Sequence, residues 1–213
     1  MLIHRSFADE LAHELLNIHA VVLRPNEPFV WSSGWNSPIY CDNRLTMLYP
    51  ALRGRIADHV ASHIRSTYPD VDVVTGTATA GIPHAAWVAE RLNLPMAYVR
   101  SKAKSYGLGN QIEGGVRKGQ KTVVIEDLVS TGGSSQSVIE ALQFVGADVL
   151  GCVSLFTYQF DVAHMAFDRM RIRFDWLTDY TTLIDVALRE GHIRSDDLDL
   201  LNRWRQEPST WPR

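Results

Sequence analysis

KTVVIEDLVSTGGSSQSV, residues 121–138, runs from an apolar segment through two adjacent acids and a loop of small residues into the opening of a helix. Thr122 to Ile125 read as a buried strand, and apolar spacing predicts a helix from about Ser134 to Val145, stopped by Gly146. A strand that passes through a short loop into a helix suits a parallel sheet, whose neighbouring strands must be joined by crossovers. The same unit recurs on both sides. Upstream, Val71 to Val74 precede a helix from about Ile82 to Leu92 and a strand from Met96 to Val99; downstream lie strands from Val149 to Tyr158 and from Ile172 to Leu177. The expected fold is α/β, a central parallel sheet flanked by helices on both faces.

The ends of the chain read as helical. Phe7, Leu11, Leu15 and Ile18 share one helix face, with Ser6 placed as its N-cap. Leu52, Ile56, Val60 and Ile64 recur every fourth residue after Pro50, which suits a first helical turn. Between these helices, two aromatic-rich runs flank Ser33-Gly34 and suggest a hairpin or bent ribbon. Thr182 to Arg189 and Ser195 to Arg205 read as helices, before an irregular tail, about residues 206–213, expected to fray. No repeat or linker interrupts the sequence, so residues 1–213 are expected to form a single domain.

Hydrophobic residues make up 46% of the chain, enough for a substantial core, while 21 basic against 24 acidic residues leave a net charge of −3. With no basic run, neither nucleic acid nor an anionic membrane is an expected partner, and no apolar stretch has membrane-spanning length. Cys41 and Cys152 are too few for a disulfide framework, and the apolar setting of Cys152 in VLGCVSLF suggests a buried thiol. A cytoplasmic location is expected.

Ligands of a parallel sheet collect at the carboxyl ends of its strands, and the amides of a glycine-rich turn entering a helix suit a phosphate. In residues 121–138, Ser130, Thr131 and Ser134 add hydroxyl donors, and Gly132 and Gly133 permit close backbone approach. Glu126 and Asp127 can accept hydrogen bonds from sugar hydroxyls, organise magnesium through water, and favour positive charge developing on a ribose ring. The G-x-G-x-x-G and G-x-x-x-x-G-K-[ST] patterns are both missing, which argues against NAD binding and ATP hydrolysis. A second turn of small residues, Thr77-Ala78-Thr79-Ala80-Gly81, can aim amides at another phosphate. In YVRSKAKSYGLGNQIEGGVRKGQK, Arg100, Lys102, Lys104, Arg117, Lys118 and Lys121 face one acid, Glu113. That polar, glycine-rich stretch fits a lid closing over a polyanion, or simply a solvated surface loop.

Val123 to Ser134 resembles the phosphoribosyl pyrophosphate (PRPP) signature of type I phosphoribosyltransferases: an apolar strand, two acids, two variable positions, then [ST]-[ST]-G-G-[ST]. The basic stretch resembles the lid of the orotate phosphoribosyltransferases within that family, R-[KS]-x-x-K-x-[HY]-G followed by G-N-Q-I-E-G. PFVWSSGWNSPIYCDNRLTMLYP, residues 28–50, resembles the segment that covers the base in them. The resemblance implies transfer of the phosphoribosyl group of PRPP to orotate with Mg2+ as cofactor, in pyrimidine (UMP) biosynthesis. Residues 1–45 would form an N-terminal helix and a hood over the base. Lys104, Glu126 and Asp127 would be catalytic. PRPP would lie against Arg100, Lys104, Tyr106, Glu126, Asp127, Leu128, Val129, Ser130, Thr131, Gly132, Gly133 and Ser134, with Thr77, Ala78, Thr79, Ala80 and Gly81 as the pyrophosphate loop. Orotate would be held by Ser130 and by main-chain groups near Ile39 and Tyr40. Arg44 is open between a cation for orotate and a structural salt bridge. Magnesium would be held mainly by PRPP and water rather than by a protein ligand set. The resemblance also implies a homodimer in which Lys104 serves the neighbour's site.

The chain departs from the family pattern in places. Ser32 stands where one branch has lysine, Phe156-Thr157-Tyr158 lacks that branch's arginine, and Ala80 stands where some members have lysine. Tyr106 replaces a common histidine; a phenol titrates near ~10, so it suits hydrogen-bond donation better than base chemistry. The PRPP loop alone would also fit a purine phosphoribosyltransferase or a PRPP-sensing regulator without turnover. The base-covering segment argues against the first and the basic lid against the second. His59 and His63 have zinc-helix spacing but lack the glutamate, and read as a surface pair. Cys41 is expected to pack; Trp31 and Trp35 are placed to shield the site, and Trp87, Trp176 and Trp204 to pack.

Overall fold

The computed structural model describes residues 1–31, 34–101 and 111–211. After helix α1 (Arg5–Asn17) come four short strands, β1 (Val21–Leu23), β2 (Phe29–Val30), β3 (Asn36–Ser37) and β4 (Ile39–Cys41). They form two antiparallel ribbons, β1 with β4 and β2 with β3. A 3-10 turn (Asn43–Leu48) leads to α2 (Pro50–Thr67). The alternation then runs β5 (Val73–Thr77), α3 (Gly81–Leu92), β6 (Met96–Val99), β7 (Ile112–Glu113), β8 (Lys121–Val129), α4 (Gly133–Phe144), β9 (Asp148–Thr157), α5 (Asp161–Met170) and β10 (Arg173–Asp179). Helices α6 (Tyr180–Arg189) and α7 (Leu198–Gln206) follow. The main sheet has the order β10-β9-β8-β5-β6-β7, parallel throughout except for β7 at one edge.

Side chains alternate across this sheet, so each strand feeds two cores. Val123 and Ile125 of β8 join the larger apolar cluster with Leu11, Ile56, Val88 and Leu183, from α1, α2, α3 and α6. Val124 joins the smaller one with Ile139 of α4 and Phe167 of α5. The fourfold repeat in α2 turns Ile56, Val60 and Ile64 inward to at most 1% exposure, each contributing roughly 1.5–3 kcal/mol of transfer free energy.

Some boundaries differ from those suggested by apolar spacing. Strand β5 continues past Val74 to Thr77, and β8 past Ile125 to Val129, because β9 goes on supplying hydrogen-bond partners as far as Val129↔Thr157. Glu126 to Val129 are therefore strand residues, and only Ala78 to Ala80 separate β5 from α3. Ser6 lies inside α1, whose N-cap is His4, and its hydroxyl meets the His4 ring instead. Helix α5 escapes the apolar pattern because only Ala163 and Phe167 are buried, while Val162 and Met165 are exposed. The basic stretch, expected to lack packed structure, contributes β7 against β6. In the tail, Trp211 packs on the larger core.

The two histidines are not a surface pair. His59 stacks on Phe7 at 3.6 Å between ring centroids, and His63 Nε2 lies 2.8 Å from Asp175 Oδ2. Asp175 is fully buried and also accepts from Arg173 Nε (2.8 Å) and Tyr68 Oη (3.0 Å), whose hydroxyl occupies space that any side chain at Gly151 would fill. Burial alone would raise the Asp175 pKa, but these donors outweigh it and hold the carboxyl at about 2. Since an unfolded aspartate titrates near ~3.9, the carboxylate stabilises the fold fully above that pH, and the contribution is lost as pH falls through the folded value. Asp175→Asn is expected to lower stability by roughly 1–3 kcal/mol at neutral pH, with the deficit shrinking below about pH 4. Urea denaturation across that range tests this, and a deficit independent of pH would show that the charge is not what matters.

Candidate active site

At the carboxyl end of β8 the chain turns into α4 through Gly132, whose φ of +84° lies in the left-handed region open to glycine. Gln136 N–H donates to Gly132 O (2.9 Å), and the first amides of α4 precede that bond, at the positive end of the helix. Residues 128–135 line a hollow of about 220 Å3 there.

The two acids sit just before this turn on opposite faces of β8. Glu126, only 4% exposed, points toward α4, accepting from Ser135 Oγ (3.3 Å) at one oxygen and from the Asp127 amide (3.2 Å) at the other. Burial, reinforced by the neighbouring Asp127 charge, pushes its pKa well above the carboxylate range. Burial also raises Asp127. At the strand edge left open beyond Ile125, Asn43 Nδ2 donates to the Asp127 carbonyl (2.7 Å). The pair is thus poised to gain a positive partner, whose charge would favour both ionised forms.

The turn after β5 lies beside it. Ala78 N–H is already bonded to Val99 O (3.0 Å), so that amide is not free for a ligand, and the Ala78–Thr79 peptide is cis. Gly81 opens α3 hard against β8: a Cβ there would stand 2.6 Å from Ile125 O. Thr77 and Ala78 share a hollow of about 250 Å3 with Arg100, Ser101, Gly133 and Ser134. Arg100 Nη1 lies 3.6 Å from Glu113 Oε1 across the β6–β7 pair. Lys104 and Tyr106 lie outside the described residues, as does Ser32.

A larger cavity, about 640 Å3, opens between the N-terminal ribbons and β8. Trp31, Trp35, Tyr40 and Cys41 form its outer wall; Leu128, Ser130, Thr131 and Tyr158 form the inner one. Trp31 is wedged 5.2 Å from Tyr158 and 5.7 Å from Trp204, centroid to centroid, and Trp204 Nε1 donates to Asn36 O (3.1 Å). Tyr158 was noted only as part of the segment that lacks one branch's arginine; its position just past the end of β9, one strand over from Ser130, brings it to the cavity. Ile39 is fully buried, and its carbonyl already accepts from Trp31 Nε1 and Ser37 Oγ, so of the two expected main-chain positions only Tyr40 borders the cavity. Arg44 grips both oxygens of Asp42 at 2.6 and 2.7 Å, which is the salt-bridge alternative. Burial keeps the Cys41 thiol protonated, and it donates to Asn43 Oδ1. A separate hollow of about 400 Å3 beside α7 includes none of these groups.

The family described as Phosphoribosyl transferase domain matches residues 47–183. An orotate phosphoribosyltransferase of Enterococcus faecalis is 54% identical over 204 residues, 96% of this chain and 97% of the relative. The chain belongs to the orotate phosphoribosyltransferase family. Among solved structures, the Aeropyrum pernix orotate phosphoribosyltransferase aligns with a TM-score of 0.75 at 29% identity, covering 86% of this chain and 99% of that one. The Mycobacterium tuberculosis orotate phosphoribosyltransferase in complex with PRPP aligns at 0.64 with 25% identity, covering 83% and 98%.

In this phosphoribosyltransferase fold the raised Glu126 pKa has a measurable consequence. A folded pKa above the unfolded ~4.3 means that the native state keeps a proton the unfolded state has released, so stability falls as pH climbs from the unfolded toward the folded value. Glu126→Gln removes that dependence. Without ligands or metal, its stability relative to wild type should rise with pH by up to about 1.4 kcal/mol per unit, read from denaturation midpoints. Parallel curves would mean that Glu126 is ionised in the empty protein.

Proposed function

We infer that the chain transfers the phosphoribosyl group of PRPP to orotate, yielding orotidine 5'-monophosphate and pyrophosphate, a step of pyrimidine (UMP) biosynthesis. One observation carries this reading: three compartments meet on a single loop. Ser130 and Thr131 border both the aromatic cavity and the phosphate-sized hollow, while Gly133 and Ser134 border that hollow and the one holding Arg100. A base, a 5-phosphate and a pyrophosphate arranged around one ribose need that layout.

On this reading, Ser130, Thr131, Gly132, Gly133 and Ser134 cradle the 5-phosphate, with Leu128 and Val129 beneath. Glu126 and Asp127 take the ribose hydroxyls and favour positive charge at the anomeric carbon as its bond to pyrophosphate lengthens. Arg100, Lys104 and Tyr106 hold the leaving pyrophosphate, together with Thr77, Thr79, Ala80 and Gly81. Orotate lies in the aromatic cavity against Trp31 and Tyr158, near Ser130 and Tyr40, and attacks through a ring nitrogen, so that no protein nucleophile is needed. Among the described residues no cluster of three acidic, histidine or cysteine ligands occurs. Two adjacent carboxylates fit Mg2+ carried on substrate oxygens and water, where it would neutralise pyrophosphate charge. Residues 1–213 act as one domain in a cytoplasmic homodimer.

Orotate absorbance should fall only when PRPP and a divalent metal are both present, with adenine, hypoxanthine and uracil poor acceptors; turnover of a purine with orotate inert would reject the assignment. Dimer sharing has its own test. A Lys104→Ala chain mixed with an Asp127→Ala chain, each inactive alone, should recover roughly a quarter of wild-type activity if Lys104 acts in trans, because half the random dimers carry one intact site. No recovery despite verified subunit exchange would place Lys104 in its own chain's site.

A further inference from the structure

Pairing between β5 and β8 stops at Gly76↔Ile125, so beyond that point β8 has no strand neighbour on the β5 side. Asp127 directs both main-chain groups to that open side. Its N–H is taken by the Glu126 carboxylate and its carbonyl by Asn43 Nδ2. A carbonyl can only accept, so the amide nitrogen of Asn43 must face it. Asn43 Oδ1 is thereby left toward the cavity-lining Cys41 thiol, 3.3 Å away. Asn43 is 1% exposed, and its own carbonyl is held by Thr46 Oγ1 at 2.6 Å. Each polar group of this side chain therefore serves a different half of the site: one the wall of the base cavity, the other the backbone of the ribose-side acid.

We propose that Asn43 is a positioning residue that fixes the distance between the base cavity and the acidic pair, standing in for the missing strand neighbour of Asp127. The proposal rests on the proposed transfer reaction. It makes no contact between Asn43 and either substrate, so each half-site keeps its own affinity when the link is cut, and what is lost is their alignment. Misalignment of reacting groups by a fraction of an ångström to an ångström acts on the chemical step.

The test uses the full chain with PRPP, Mg2+ and orotate. For Asn43→Ala, kcat should fall ~10- to 100-fold, while the dissociation constant for PRPP alone and the KM for orotate stay within about threefold of wild type. Thr46→Val, which keeps its volume and frees only the Asn43 carbonyl, should lower kcat about threefold or more with the same split, and remains decisive if Asn43→Ala does not fold. Unchanged kcat in a folded variant, or a kcat loss matched by equal losses in both affinities, would overturn the positioning role. Wild type serves as the control: if it does not turn over orotate, the transfer reaction itself is rejected and the proposal with it, whereas an active wild type and an equally active variant reject Asn43 alone.

Discussion

The site is organised by a mismatch in strand length: β8 runs on along β9 to Val129 after its pairing with β5 has ended at Ile125. The overhang keeps the regular geometry of a sheet on one side and offers an open edge on the other. Buried backbone groups must find partners. At Asp127 those partners are a carboxylate and an asparagine rather than another strand, and this draws the segment after β4 onto the sheet beside the acids. The turn through Gly132 then places the amide end of α4 against the same residues. Aromatic cavity, acids and glycine turn are thus three consequences of one strand continuing where its neighbour stops.

The overhang also sets the electrostatics. Glu126 and Asp127 are adjacent in sequence, and beside its burial each carboxyl feels the other, which helps hold the Glu126 pKa up. Burial raises both pKa values. Arg44, the exposed cation near Asp127, is committed to Asp42, and Arg100 lies nearest Glu113. Acids that, among the described residues, have neither arginine committed to them are matched to a ligand that brings positive charge or develops it during reaction.

Much of this was legible from residue order. The alternation of apolar runs and helical spacing determines a parallel sheet, and the acids followed by hydroxyls and paired glycines mark where its ligand-facing edge must be. What the sequence hides is non-local. Whether a strand ends at Ile125 or Val129 depends on the partner beside it, which β9 supplies with Ser154 to Thr157. Helix α5 presents too few buried side chains to show a period, and β7 is two residues long, formed only because β6 lies beside it. His63 looked like a surface residue since nothing local announces Asp175, more than a hundred positions away. Ile39 was placed near the base by family pattern; its side chain packs in the larger core, and Trp31 and Ser37 claim its carbonyl.

The hood shows why the last third of the chain matters to a site built from the first two. Strands β2 and β3 are two residues each, far too short to hold a position unaided. Their support is lateral: the Trp31 ring packs on Tyr158 and edge-on to Trp204, while Trp204 Nε1 holds Asn36 O from below. Trp204 itself is fully buried on α7, with Phe160 and Tyr180 around it. The wall of the aromatic cavity is therefore pinned at one end through α7 and at the other by the bond from Asn43 to Asp127 of β8. Between these two points the ribbon carries the aromatic faces of the cavity, and its geometry is inherited from residues that do not line it.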